Sequence, residues 1–133
     1  MEPASVDKLL ERARARLRRL TAIQAAGATE CGGIIVDIRA EHQRRRDGLV
    51  PFAVFIERNV LEWRADPGCP WYDRRLHGRT GPLILMCAEG YQSSLAAATL
   101  QQMGIVDATD LIDGFDGWRA AGLPVQQWTD ASA

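Results

Sequence analysis

The chain has 133 residues, enough for one domain with one sizeable core and too few for two. Apolar residues make up 47% and charged residues 25%, a balance that excludes a disordered chain. With 17 acids against 16 bases the net charge is −1, so no global attraction to nucleic acid or to an anionic membrane is expected.

In chain order, "SVDKLLERARARLRRL" (5–20) spaces Val6, Leu9, Ala13, Leu17 and Leu20 as one face of a helix, with Ser5 as its cap. Arg12, Arg14, Arg16, Arg18 and Arg19 fill much of the remaining surface and read as a solvated face. Thr21 and Gln24 form a capping-box pattern for a second helix that Gly27 is expected to end. "GGIIVDIR" (32–39) carries consecutive β-branched residues after two glycines, the pattern of a strand covered on both faces. "AEHQRRRDG" suits a short helix closed by Gly48, and "AVFI" (53–56) a second buried strand. Asn59 and Glu62 resemble the cap and third residue of a further short helix. Residues 65–82 hold Pro67, Gly68, Pro70, Gly78, Gly81 and Pro82, and are expected to be irregular. "LILM" (83–86) is the most hydrophobic strand; Ser93–Met103 is alanine-rich and helical, ended by Gly104; "TDLI" and "FDGWRAAG" read as a last strand and a last helix.

Short buried strands alternating with helices imply a parallel sheet with helices on both faces, because parallel strands need crossover connections. Ligands of such sheets bind beyond the carboxyl ends of the strands. Cys87 stands at one of those ends, followed by "AEGYQ" and then a helix. A tight loop with Gly90 in it can turn several backbone N–H groups to one point, and the helix adds the positive end of its dipole. Thiolate is the form that such dipoles stabilise, so the residues describe a place for nucleophilic sulfur chemistry needing neither a metal nor an organic cofactor. A small buried hydrophobe at a strand end is the other reading of the same cysteine. Cys31, Cys69 and Cys87 are an odd set without C-x-x-C spacing, so neither a disulfide framework nor a thiolate metal site is expected. Cys31 reads as packing, and Cys69 as a remote candidate for resolving a Cys87 persulfide as a disulfide. Trp118 reads as core, and Trp63, Trp71 and Tyr72 as buried anchors under the irregular stretch.

The stretch from Cys87 to Gln92 resembles the active-site loop of the rhodanese-like sulfurtransferases, with Cys87 matching the nucleophile and Gly90 the fourth-position glycine. "IVDIR" is similar to the family's Asp-x-Arg strand end, through Asp37 and Arg39, and "GLVPFA" stands where the family often has Gly-His-Ile-Pro-Gly-Ala. "LIDGFDGWRAAGLPV" (111–125) resembles its C-terminal signature. The resemblance implies a rhodanese-like domain over residues 18–133, a mostly parallel five-stranded sheet with helices on both faces, preceded by an N-terminal helical extension over residues 1–17. It implies a Cys87 persulfide that receives sulfane sulfur from a small-molecule or protein donor and passes it to a thiol or cyanide. Ala88, Glu89, Gly90, Tyr91, Gln92 and Ser93 are then the substrate-binding residues, with Asp37 and Arg39 read first as a structural ion pair and second as site residues. No cofactor, nucleic acid or membrane partner is implied.

The match departs from the family in charge. Many thiosulfate-using members carry cations at the second and sixth loop positions, where this chain has Ala88 and Gln92, and Glu89 adds a negative charge. Weak thiosulfate activity and another donor are therefore expected. The related phosphatases have an arginine before the helix, where Ser93 stands, so phosphate-ester chemistry is not expected; arsenate reduction is a minor alternative. A non-catalytic interaction or sulfur-sensing module is the reading from a different class. The expected setting is the cytoplasm of a bacterium, since the N-terminus lacks the apolar run of a secretory signal and arginine far outnumbers lysine, as a GC-rich genome would have it.

Overall fold

Strand β3 (Leu83–Met86) is buried at every residue and lies at the centre of the molecule. The computed structural model describes residues 2–132. Around β3 run β1 (Ile34–Asp37), β2 (Val54–Phe55) and β4 (Ala108–Asp110), all parallel, in the order β2-β1-β3-β4. The helices are α1 (Val6–Arg14), α2 (Ala22–Glu30), α3 (Glu41–Asp47), α4 (Leu61–Ala65), α5 (Gln92–Gln102) and α6 (Gly114–Ala120). Alternation along the strands feeds two cores. Val36, Leu83 and Leu85 pack with Leu61, Ala96, Ala97 and Leu100, under α4 and α5. Ile35, Ile84 and Met86 pack with Ala22, Ala25, Phe115 and Trp118, under α2 and α6. The central strands β1 and β3 are thus packed with apolar side chains on both sides, which is why their runs carry no alternation.

Among the described residues the sheet has four strands, not the expected five. What occupies the fifth position is a single parallel bridge, Leu20 to Leu111, held by Leu20 N–H on the Asp110 carbonyl (3.1 Å) and Ile112 N–H on the Leu20 carbonyl (2.8 Å). The chain cannot extend it, because Thr21 already caps α2 in the expected capping box. Helix α2 passes through Gly27 and stops at Cys31, with Gly32 at φ +94° making the turn. One interior glycine costs only about 1 kcal/mol, and burial of Ala22 and Ala25 offsets it. Strand β2 is half-buried at the sheet edge. Asn59 does not cap a helix: Arg58–Val60 form a 3₁₀ turn leading into α4, and Glu62 pairs with Arg58 at 3.0 Å.

Helix α1 is the largest departure. Ser5 caps it as expected, but it ends at Arg14 and buries Leu10 and Ala13, leaving Val6 and Leu9 exposed. Tight turns (Arg16 N–H to Ala13, Leu17 N–H to Arg14) then deliver Leu17 to one core and Leu20 to the other. Trp118 is fully buried as expected, while Trp63 and Trp71 are exposed and do not anchor the irregular stretch; Cys31 is exposed as well. Among the described residues no helix is long and apolar enough to cross a membrane.

Candidate active site

Cys87 follows β3 directly, and the strand's burial places its sulfur at the end of the sheet, 2% exposed. Its carbonyl accepts the Phe115 N–H (2.8 Å) and the Ala88 carbonyl accepts the Asp116 N–H (3.0 Å), so the start of α6 clamps the base of the loop. This close approach explains the "DG" at 113–114: Asp113 and Gly114 both take positive φ (62° and 55°), and a side chain on Gly114 would collide with the Cys87 and Ala88 backbone.

Gly90, at φ +88°, turns its N–H onto the Cys87 sulfur at 3.2 Å. Tyr91 follows in the right-handed region, and a left-handed residue before a right-handed one makes a concave anion nest. Helix α5 begins at Gln92. The N–H groups of Tyr91, Gln92 and Ser93 have no acceptor among the described residues, as is usual for a first turn. One amide, not several, therefore contacts the thiol itself. Ala88 is half-buried; Glu89, Tyr91 and Gln92 are exposed and form the outer side of the loop. A cavity of about 430 Å³ lined by Ile38, Arg39, Ala40, Glu57, Arg58 and Gln92 reaches the loop's last residue.

The second polar neighbour of the sulfur is Ser93 Oγ, 3.4 Å away and buried. Ser93 donates its hydroxyl proton to Asp110 Oδ2 at 2.7 Å, and Ser94 donates to the same oxygen at 2.8 Å. Asp110 ends β4 and is wholly buried. Arg19 closes the network: Nε to Asp110 Oδ1 (2.8 Å), and Nη2 both to Asp110 Oδ2 (3.2 Å) and to the Gly90 carbonyl (2.9 Å). Arg14 adds Nη2 to the same Gly90 carbonyl (2.8 Å) and Nε to Ser94 Oγ (3.1 Å), with its guanidinium 5.5 Å from the Tyr91 ring centre. Two arginines expected on a solvated face are thus half-buried behind the loop.

Asp37 and Arg39 form a buried fork, Arg39 Nε to Oδ1 (3.0 Å) and Nη2 to Oδ2 (2.8 Å). Arg39 also binds the Gly48 carbonyl (2.8 Å) and covers the Phe115 ring at 4.0 Å. Arg44 approaches the same carboxylate at 3.4 Å, and burial lowers its pKa. The group ties β1 to α3 and α6, the geometry of a structural pair, while Arg39 also lines the cavity beside Gln92. Sequence reasoning missed Asp110, Arg14 and Arg19. Only the position of Asp110, at the carboxyl end of a parallel strand, carried a signal.

A cysteine at the carboxyl end of a central parallel strand, in a six-residue loop that turns an N–H onto its sulfur, defines a class of α/β proteins with one thiol seated at the end of the sheet. Comparison with known proteins narrows this: residues 20–121 match the Rhodanese-like domain, and the chain belongs to that family. Thiosulfate sulfurtransferase GlpE of Actinobacillus succinogenes is 40% identical over 45 residues, which span 34% of this chain and 40% of that protein. A protein of unknown function from Rhodopseudomonas palustris, named a possible tyrosine phosphatase, superposes with a TM-score of 0.84 at 30% identity, covering 95% of this chain and 97% of that one. A thiosulfate sulfurtransferase from Pseudomonas aeruginosa shares the fold with a TM-score of 0.66 at 21% identity, over 84% of this chain and 20% of that one.

Proposed function

We propose that the protein is a sulfurtransferase that carries sulfane sulfur on Cys87. The observation that carries this reading is the Gly90 N–H directed at the Cys87 sulfur, inside a nest whose next three amides are free. In the first half-reaction the Cys87 thiolate attacks the outer sulfur of the donor. An S–S bond forms, the donor's own S–S bond breaks, and its remainder leaves with the electron pair. In the second, a thiol or cyanide attacks the terminal sulfur of the persulfide and Cys87 leaves as thiolate. The nest stabilises the sulfur anion before and after each displacement.

Ser93 has one hydroxyl proton to give. While it goes to Asp110, the oxygen offers the sulfur a lone pair, which suits a thiol S–H. When the sulfur is anionic the hydroxyl swings to it, and Asp110 keeps the bonds from Ser94 and Arg19. The network thus serves both charge states without leaving a buried carboxylate bare. Because Cys87 is covered, the donor enters past the exposed Glu89, Tyr91 and Gln92. The loop itself offers no cation to a dianion: Arg14 and Arg19 are committed to Gly90 and Asp110, and the guanidiniums of the cavity beside Gln92 are already paired, Arg39 with Asp37 and Arg58 with Glu62. A thiol-borne or protein-borne persulfide fits better as donor than thiosulfate. The same commitment disfavours phosphate-ester hydrolysis, which needs a guanidinium facing the bowl. Arsenate reduction is the lesser use of the same thiol.

Intact mass spectrometry after incubation with thiosulfate and with glutathione persulfide tests the proposal. A gain of one sulfur atom that cyanide removes, and that Cys87→Ser abolishes, is the expected result. No gain from any donor refutes it and leaves a non-catalytic binding or sulfur-sensing module.

A further inference from the structure

We propose that Arg14 and Arg19, from the segment before the matched family region, are positioning residues of the sulfur site: together they hold the Gly90–Tyr91 peptide with its N–H turned toward the reacting sulfur. The proposal rests on the sulfurtransferase reading and goes beyond the loop itself.

Two guanidinium groups converge on one carbonyl oxygen, that of Gly90, at 2.8 and 2.9 Å. No peptide in the described chain is cis, and in a trans peptide the N–H points opposite to the C=O. Pinning the Gly90 oxygen on the arginine side therefore sends the Tyr91 N–H to the other side, where it has no acceptor among the described residues. The peptide before it already directs the Gly90 N–H onto Cys87 at 3.2 Å. Successive N–H groups on one side of the loop are what an anionic persulfide sulfur needs, and without the arginines only the Ser94 hydroxyl, 3.4 Å from the Gly90 oxygen and already bonded to Asp110, is left to hold that peptide against the flexibility of Gly90. The cations also polarise it, strengthening its N–H as a donor.

Charge accounts for the arrangement as well. The loop has no basic side chain of its own and carries Glu89. Arg14 and Arg19 supply positive potential from behind, through the peptide, while adding no cation to the loop's outer side. A site built so stabilises an anion that forms on Cys87 more than an anion that must come in from water. That distinction favours a persulfide carrier over a thiosulfate binder.

Arg14 is the residue to change, because it makes no ion pair and its loss leaves no buried carboxylate alone; Arg19→Gln strips Asp110 and serves as the severe comparison. Arg14→Gln and Arg14→Lys are compared with wild type in two measurements. The first is the rate of sulfur uptake from glutathione persulfide, expected to fall about tenfold in Arg14→Gln and to recover in part with lysine. The second is the ratio of Cys87 alkylation rates by iodoacetate and iodoacetamide, a readout of local potential that needs no turnover. The ratio is expected to fall in Arg14→Gln with the melting temperature nearly unchanged, which a purely structural residue would not produce. Wild-type uptake and an unchanged ratio in Arg14→Gln overturn the proposal. A wild-type protein that takes up no sulfur refutes the transferase reading instead, and the alkylation ratio still decides the role of Arg14.

Discussion

Asp110→Asn is the sharpest perturbation of the site, because it changes one atom in the one buried carboxylate of the loop network. In the native protein Oδ1 accepts from Arg19 Nε, while Oδ2 accepts from Ser93, Ser94 and Arg19 Nη2. Asparagine keeps one oxygen and places an NH₂ against groups that are themselves donors. Whichever way the amide turns, at least one native bond becomes a donor facing a donor, and Arg19 loses its counter-charge. Removing one partner of a buried pair costs about 3–5 kcal/mol. The Arg19 side chain keeps 17% of its exposure, so we take the lower figure of about 3 kcal/mol. For a domain of this length that corresponds to a fall of roughly 10 °C in melting temperature. Thermal unfolding followed by tryptophan fluorescence reads it, with Arg19→Gln and the double variant completing a cycle. The two single losses are expected to exceed the double loss by at least about 1 kcal/mol, since the pair is lost only once. Sulfur uptake should fall in step. A melting temperature within about 2 °C of wild type, or a coupling near zero, would refute the account of Asp110 as the anchor of the loop.

Three further outcomes are expected. Gly90→Ala forces a side chain into the left-handed region, where the new Cβ would sit 2.9 Å from the Asp113 nitrogen; a stability loss of about 2 kcal/mol in urea and a larger loss of sulfur uptake are expected, and full uptake would contradict the role of the Gly90 N–H. Thiosulfate:cyanide kinetics should show a high Michaelis constant, because the loop has no cation and the arginines around it are already engaged; a low constant indifferent to salt would overturn the assignment of donor. Asp73 has its pKa lowered, first by its hydrogen bond with Arg75, so the pair adds stability above the unfolded carboxylate value and loses it as pH falls through the folded one. Asp73→Asn should therefore cost less than about 1 kcal/mol at pH 7, the Arg75 side being well exposed, and progressively less as pH falls below the unfolded carboxylate value; a loss that does not shrink with falling pH would show that the ion pair is not its cause.

The strand, loop and helix around Cys87 were legible because their signals are local. A continuous apolar run, a glycine that must take positive φ and an alanine-rich helix each announce themselves within a few residues. The signature at 111–125 was legible through its resemblance to the family's, and the structure adds a cause for its first half, the clamp of α6 on the Cys87 and Ala88 carbonyls. The bonds from Arg14 and Arg19 to Gly90 and Asp110 join positions 71 to 91 residues apart through polar side chains, and hydrophobic periodicity carries no trace of them. The same bonds explain the departure in α1. Of the face read through Val6, Leu9 and Ala13, Ala13 is buried as expected, but Leu10 is buried with it while Val6 and Leu9 are exposed. The polar contacts of Arg14 favour that rotation. The absent fifth strand has a similar origin: a capping box at Thr21 outcompetes sheet pairing one residue after Leu20.

The family match begins at residue 20, one position after Arg19. A fragment cut at that boundary would keep every motif by which the family is recognised, yet seal Asp110 inside with no guanidinium to answer it. Excision or grafting of the matched region therefore has to carry Arg14 and Arg19 with it.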